Sequence, residues 1–230
     1  MNYRVFKDRT EAAEELAEEI KGYLTSIGIR EGTEESKSLI VLAIPRGGVI
    51  TGDVVASRLR CDMDIIVSRK IGAEYNSELA IGALLPDGTY FINERIANML
   101  NTSQVYIDNQ VKMQKKEIER RLIEFRGDKE YGNRLNGKIV VLVDDGIATG
   151  STIIAAARWI KEKHNCKKLV IAVPIAPATN DTLDKLDEIA DRVIILSITR
   201  EFYAVGQFYE NFDQVEDKEV KEIMKKYIKP

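Results

Sequence analysis

Apolar residues fall along this chain in two rhythms: short continuous runs, and longer stretches that recur at helical spacing. The runs Ser38–Ile44, Asp64–Ser68, Lys138–Val143, Lys168–Val173 and Arg192–Leu196 predict buried strands, because a strand covered on both faces needs no polar side. Between them lie helical patterns. Ala13, Leu16, Ala17, Ile20 and Leu24 follow a start at Thr10-Glu11, where a hydroxyl and an acid suit the free N–H end. Val54–Leu59 reads as a short helix, and Thr152–Lys163 and Thr179–Ala190 as longer ones. Residues 104–126 give the longest pattern, with Ile107, Val111, Ile118, Leu122 and Phe125 on one face and mostly charged or amide side chains elsewhere. Leu79–Leu85, Pro86-Asp87-Gly88 and Thr89–Ile92 predict a hairpin, and Gly127–Gly137 a polar loop. Strands alternating with helices mean an α/β fold, a mainly parallel sheet with helices on both faces.

Composition narrows the functions open to such a fold. Hydrophobic residues make up 44% and charged residues 31% of the 230 positions, enough for one sizeable core. The net charge of −3 argues against general nucleic-acid binding, which needs a basic field. No apolar run nears the roughly 18–20 residues that span a bilayer. The segment Met1–Arg9 has no apolar signal core, and Cys61 and Cys166 have neither metal nor redox spacing. These features point to a reduced, cytoplasmic compartment with neither nucleic acid nor membrane as partner.

Candidate chemistry concentrates in residues 139–152. The run Ile139–Val143 ends in Asp144 and Asp145, followed by Gly146-Ile147-Ala148-Thr149-Gly150 and then Ser151-Thr152 opening a helix. Ligands of open parallel sheets bind at this edge. A helix start offers free N–H groups and a positive dipole end to an anion, and two glycines let the backbone curl around it. Thr149, Ser151 and Thr152 add hydroxyl donors, so a phosphate fits. The two carboxylates would repel a phosphate. They suit sugar hydroxyls, or waters of a magnesium ion shared with phosphates. No Lys follows Gly150, which excludes a P-loop, and the glycine spacing is not the dinucleotide one. A second loop, Pro45-Arg46-Gly47-Gly48, follows the first strand at the same edge, with Arg46 as a forked cation for phosphate oxygens.

The acid pair with its Thr-Gly loop resembles the signature of the type I phosphoribosyltransferases. Phe6–Arg9, Ala43–Gly48, Glu78–Gly82 and Phe202–Phe212 extend the resemblance over most of residues 3–215, toward the uncharacterised predicted members of that family. It implies a single domain over residues 1–230, with a small lid, or hood, built from the N-terminal segment and residues 197–215, and a helical insertion at 104–126. It implies phosphoribosyl pyrophosphate with Mg2+ as ligand, and transfer of its 5-phosphoribosyl group to a small, nitrogenous acceptor. Asp144 and Asp145 would hold the sugar, residues 146–152 its 5-phosphate, and residues 45–48 the pyrophosphate, with a non-proline cis peptide at Pro45–Arg46.

Arg69 and Lys70 would end the second strand before a flexible loop, Ile71–Ser77, with Lys70 meeting the pyrophosphate; a basic pair on a solvated hairpin is the alternative. Glu78 sits beside this loop with no assigned chemistry. Ala148 stands where members acting on 6-oxopurines commonly carry Asp, which disfavours hypoxanthine and guanine. Phe202, Tyr203, Phe208, Tyr209 and Phe212 either stack on the acceptor or pack the hood onto the core. The 104–126 stripe is either a homodimer face or core. His164 and the tail Glu216–Lys226 read as solvated, and Trp159 as core. The competing reading is a non-catalytic regulator binding the same ligand or a nucleotide; a hydrolase or phosphorylase of phosphorylated ribosides would use a similar cradle.

Overall fold

The computed structural model describes residues 4–178 and 180–228. Five strands form one parallel sheet: β1 (Leu39–Ala43), β2 (Asp62–Ile65), β6 (Ile139–Val143), β7 (Lys168–Pro177) and β8 (Arg192–Thr199). Their spatial order is β2-β1-β6-β7-β8. All of β1 and β6 is buried, as their unbroken Val, Ile and Leu content requires. The two pair without offset, from Leu39↔Ile139 to Ala43↔Val143. The chain leaves β1 toward β2 on one side and leaves β6 toward β7 and β8 on the other. The switch in winding therefore lies between β1 and β6, where such sheets open a ligand crevice.

Helices α1 (Arg9–Ser26), α2 (Gly47–Leu59), α5 (Ser151–Lys163) and α6 (Asn180–Ile189) cover the sheet. The sequence placed the start of α1 slightly too late. Asp8 is the cap, its Oδ1 accepting from the N–H groups of Thr10 and Glu11 at 2.9 and 3.0 Å. Helix α2 is twice the expected length, because Gly47-Gly48 form its first turn rather than a turn ahead of it. The expected start of α6, Thr179, lies outside the described residues.

A second sheet corrects the reading of residues 69–77. Arg69 and Lys70 open a new strand, β3 (Arg69–Ala73), which pairs antiparallel with β4 (Asn76–Leu84) and through it with β5 (Tyr90–Ile92). Gly72 and Asn76 lie within strands, and only Glu74-Tyr75 make the turn. The buried run Ile65-Ile66-Val67 hid the point where the chain passes from one sheet to the other. The described side chains do not include Glu78.

Beyond this sheet come α3 (Glu94–Met99) and the long α4 (Gln104–Arg126), capped by Ser103 and stopped by Gly127 at φ 74°. Its stripe packs into the core: Ile107, Ile118, Leu122 and Phe125 are buried within the chain, and Val111 is partly buried against them. Residues 127–137 are also anchored rather than a free loop. Arg126 grips Asp64 of β2 through Nε and Nη2, at 2.7 and 2.9 Å, and stacks over the Tyr131 ring at 4.1 Å. The Tyr131 hydroxyl donates to the Ile65 carbonyl at 2.8 Å. The terminal helix α7 (Asp217–Met224) is not simply solvated, since Val220 and Met224 are buried. Among the described residues no helix is long and apolar enough to cross a membrane.

Asp64 is 1% exposed and Arg126 is 7% exposed, so removing one partner strands the other charge out of water. Asp64→Ala should cost about 3–5 kcal/mol, read as a lower urea midpoint. An unchanged midpoint would show that Arg126 finds another partner.

Candidate active site

Because β1 and β6 end level, the loops that follow them meet. The ladder continues one residue further, with Ile44 N–H donating to the Val143 carbonyl at 3.0 Å. Gly47 and Gly48 then pack directly against the two acids. A Cβ on Gly47 would stand 1.8 Å from Asp145 Oδ2, and one on Gly48 would stand 2.8 Å from Asp144 Oδ1. Only a bare backbone allows so close an approach. The Pro45–Arg46 peptide is cis.

Asp144 and Asp145 occupy unlike environments. Burial, and then the neighbouring Asp145 charge, hold the Asp144 carboxyl well above the usual carboxylate range. Its Oδ1 accepts from the Asp145 N–H at 2.9 Å. Asp145 is instead matched by Arg9, whose Nε lies 2.8 Å from Oδ2. Arg9 is itself 8% exposed. It also donates to the Asp213 carbonyl at 2.9 Å and lies 3.8 Å above the Phe212 ring. The Tyr209 hydroxyl donates to the Asp145 carbonyl at 2.6 Å.

Arg9 is the residue the sequence reading missed. The signal was available: an arginine in the first turn of a helix opposes the helix dipole, so it needs a partner elsewhere in the fold.

After the acids, the loop closes a pocket of 170 Å³ lined by Asp144, Gly146, Ala148, Thr149, Gly150 and Thr152, among others. Gly150 sits at φ 77° and caps α5, a backbone setting that favours glycine. The Ile147 N–H is used, donating to the Ile175 carbonyl at 2.8 Å. Among the described hydrogen bonds, the N–H groups of Ala148, Thr149 and Gly150 donate to no protein acceptor. Thr149, Ser151 and Thr152 surround them with hydroxyls. The result is a concave set of donors at a helix start, suited to a tetrahedral anion.

A family model described as the phosphoribosyl transferase domain matches residues 11–211, a span that contains the acid pair, both loops and most of the fold. The chain belongs to the phosphoribosyl transferase domain family. Two proteins of Mycobacterium tuberculosis, from strains CDC 1551 and H37Rv, named as candidate phosphoribosyl transferases, are each 36% identical over 217 residues. That match covers 94% of this chain but 46% of each relative, so the chain spans about half the length of the curated relatives it matches. A solved structure from Thermus thermophilus, the protein TT1426, superposes with a TM-score of 0.76 at 31% identity. The superposition covers 98% of this chain and 100% of that one. The architecture is thus the α/β fold of type I phosphoribosyl transferases.

Other expected site residues are more scattered in this phosphoribosyl transferase domain. Lys70 stands on β3, at the base of a hairpin, rather than at the end of β2. Phe208 and Tyr209 are 0% and 5% exposed and pack with Phe6, Ala12 and Ile175, so they are packing residues. Phe6 pairs with Tyr209 as an isolated parallel bridge, and Phe6 N–H donates to the Phe208 carbonyl at 2.8 Å. Phe202 is half-buried and stacks on Phe208 at 5.3 Å, which leaves Tyr203, 91% exposed, as the free aromatic. His164 is half-buried against Trp159, not solvated. Trp159 is core, 2% exposed.

The raised Asp144 pKa has a consequence for stability. The folded chain holds that proton to higher pH than the unfolded chain, so ionising Asp144 costs stability as pH rises from the ordinary carboxylate pKa through the raised one. Asp144→Asn should therefore melt higher than wild type at neutral pH, by roughly 2–4 °C per kcal/mol gained. Below the ordinary carboxylate range the two melting points should converge; a gap that persists there would place the effect outside this titration. Gly47→Ala should displace Asp145 from Arg9, with a lost or shifted Arg9 Nε resonance in NMR spectra as the check.

Proposed function

We propose that this domain transfers a 5-phosphoribosyl group from phosphoribosyl pyrophosphate to a small nitrogenous acceptor. One observation carries the reading: the anion pocket at Ala148–Thr152 sits beside two carboxylates and an arginine-bearing glycine loop, at one sheet edge. The 5-phosphate would lie in the pocket, on the free N–H groups and hydroxyls. Asp144 and Asp145 would accept from the ribose hydroxyls, with Arg9 holding Asp145 in place. Residues 45–48 would face the diphosphate, and Arg46, with Lys70 of β3, would draw its charge.

In the reaction the bond between the anomeric carbon and the diphosphate oxygen breaks, and a bond to the acceptor nitrogen forms on the opposite face. Positive charge builds on the ribose as diphosphate leaves. Carboxylates beneath the ring favour that charge, and Arg46 favours the departing anion. Anchoring the phosphate fixes the ring for attack.

The donor set fits Mg2+ held mainly by substrate. Among the described residues no cluster of three or more His, Cys, Asp or Glu could hold a metal, and Mg2+ typically takes one or two carboxylates with phosphates and waters. Asp144 and Asp145 would be those carboxylates, and the ion would supply neutralising charge to the diphosphate.

Ala148 is exposed and carries no group to exchange a proton with a purine, which supports acceptors other than hypoxanthine and guanine. Tyr203 is the aromatic open to stack on the acceptor.

The test is calorimetric titration with phosphoribosyl pyrophosphate, with and without Mg2+. Wild type should bind only with Mg2+, and the Asp144→Asn, Asp145→Asn double variant should lose at least ten-fold in affinity, about the 1.4 kcal/mol that one lost hydrogen bond to a charged group represents. No binding by folded wild type would sink the transferase reading, and efficient transfer to guanine would sink the acceptor assignment.

A further inference from the structure

Arg46, the arginine of the glycine loop, is already engaged. Its Nη1 lies 3.4 Å from Asp217 Oδ1, on the first turn of α7. The other oxygen, Oδ2, lies 3.8 Å from Arg120 Nη2 on α4. Both contacts are long, and Arg46 and Asp217 keep about a third of their side chains exposed, at 29% and 32%. The carboxylate thus bridges two guanidinium groups loosely, as a phosphate would bridge them tightly.

The surroundings are rich in arginine. Arg69 donates to the neutral Gln114 at 3.0 Å. Burial lowers its pKa, and repulsion from Arg121, then from Arg120 and Arg46, lowers it further, against an opposing pull from Glu117. Four guanidinium groups therefore share one field. Glu117 is consumed by Arg120 and Arg121 at 2.8–2.9 Å and is held at about 2 by those hydrogen bonds, Arg120 foremost. Glu124 is taken by Arg120 and Lys221. Asp217 is the carboxylate that reaches Arg46 itself.

We propose that Asp217 is a built-in competitor anion that occupies Arg46 until a diphosphate displaces it, so that α7 and the inserted α4 set the affinity for diphosphate. The inference rests on the assignment of Arg46 to the diphosphate. Asp217 touches no substrate; it is a positioning residue that acts through Arg46. Displacement frees Asp217 to stay with Arg120, so the exchange leaves no charge unpaired.

The experiment titrates the full chain with magnesium pyrophosphate and, separately, with ribose 5-phosphate. Asp217→Asn should bind pyrophosphate about five-fold tighter, the upper range for a partly exposed ion pair, while Asp217→Glu binds as wild type. Ribose 5-phosphate affinity should be the same in all three, which reports that the fold and the cradle are intact. In an Arg46→Gln background, Asp217→Asn should have no effect on pyrophosphate.

Unchanged or weaker pyrophosphate binding by Asp217→Asn overturns the proposal, as does a gain that survives Arg46→Gln or a failure of every variant to bind pyrophosphate. If ribose 5-phosphate fails to bind wild type while the pyrophosphate pattern holds, the cradle assignment falls and the competitor role stands.

Discussion

The parallel ladder between β1 and β6 governs this molecule. Parallel strands paired without offset end at the same height, and the two loops that follow must share one space. Gly47 and Gly48 meet Asp145 and Asp144 for that reason alone. A slip of one residue would turn every buried side chain of β6 to the opposite face of the sheet. The register is thus held by the core, by Val, Ile and Leu on both strands, and the polar site inherits its geometry from apolar packing. Little else in the site is independent of that ladder. The helix that begins at Ser151, with its positive end turned to the pocket, follows from where β6 stops.

The site also keeps like charges close together. Asp145 is neutralised by Arg9, while Asp144 is left to burial and a raised pKa. Around Arg46 four arginines share three carboxylates, Glu117, Glu124 and Asp217. Such an arrangement costs stability in the free protein.

Much of this was legible in the chain. Four strands of the parallel sheet show as apolar runs, whereas β2, Asp-Met-Asp-Ile, starts two residues ahead of the expected Asp64–Ser68; the acid pair with its glycines and hydroxyls has a distinctive spacing. Helix α4 ran between the residues expected, 104 and 126, because its charged face and apolar stripe are both long. What stayed hidden depends on tertiary contacts that local pattern does not encode. Arg69 and Lys70 continue a buried run, so the change of sheet left no mark. Phe208 and Tyr209 were ambiguous between ligand and core until their burial was known. Asp64 forms one anchored cluster with Arg126 and Tyr131 of a distant segment, and nothing in either segment names the other. Arg9 and Asp217 share that character, each lying far along the chain from the group it serves.

That distance bears on when the domain becomes competent. The Arg9–Asp145 pair closes a loop of 136 residues, and Arg9 to the Asp213 carbonyl closes one of 204. The Phe6–Tyr209 bridge spans nearly the same stretch. Closing such loops is slow more than it is costly, since the entropy of closure grows only logarithmically with length. During synthesis the β1–β6 crevice and its anion pocket can form well before residues 209–213 emerge. The clasp over Asp145 cannot form until residues 209–213 have emerged from the ribosome. A nascent chain therefore carries the anion pocket before the clasp on Asp145 is complete.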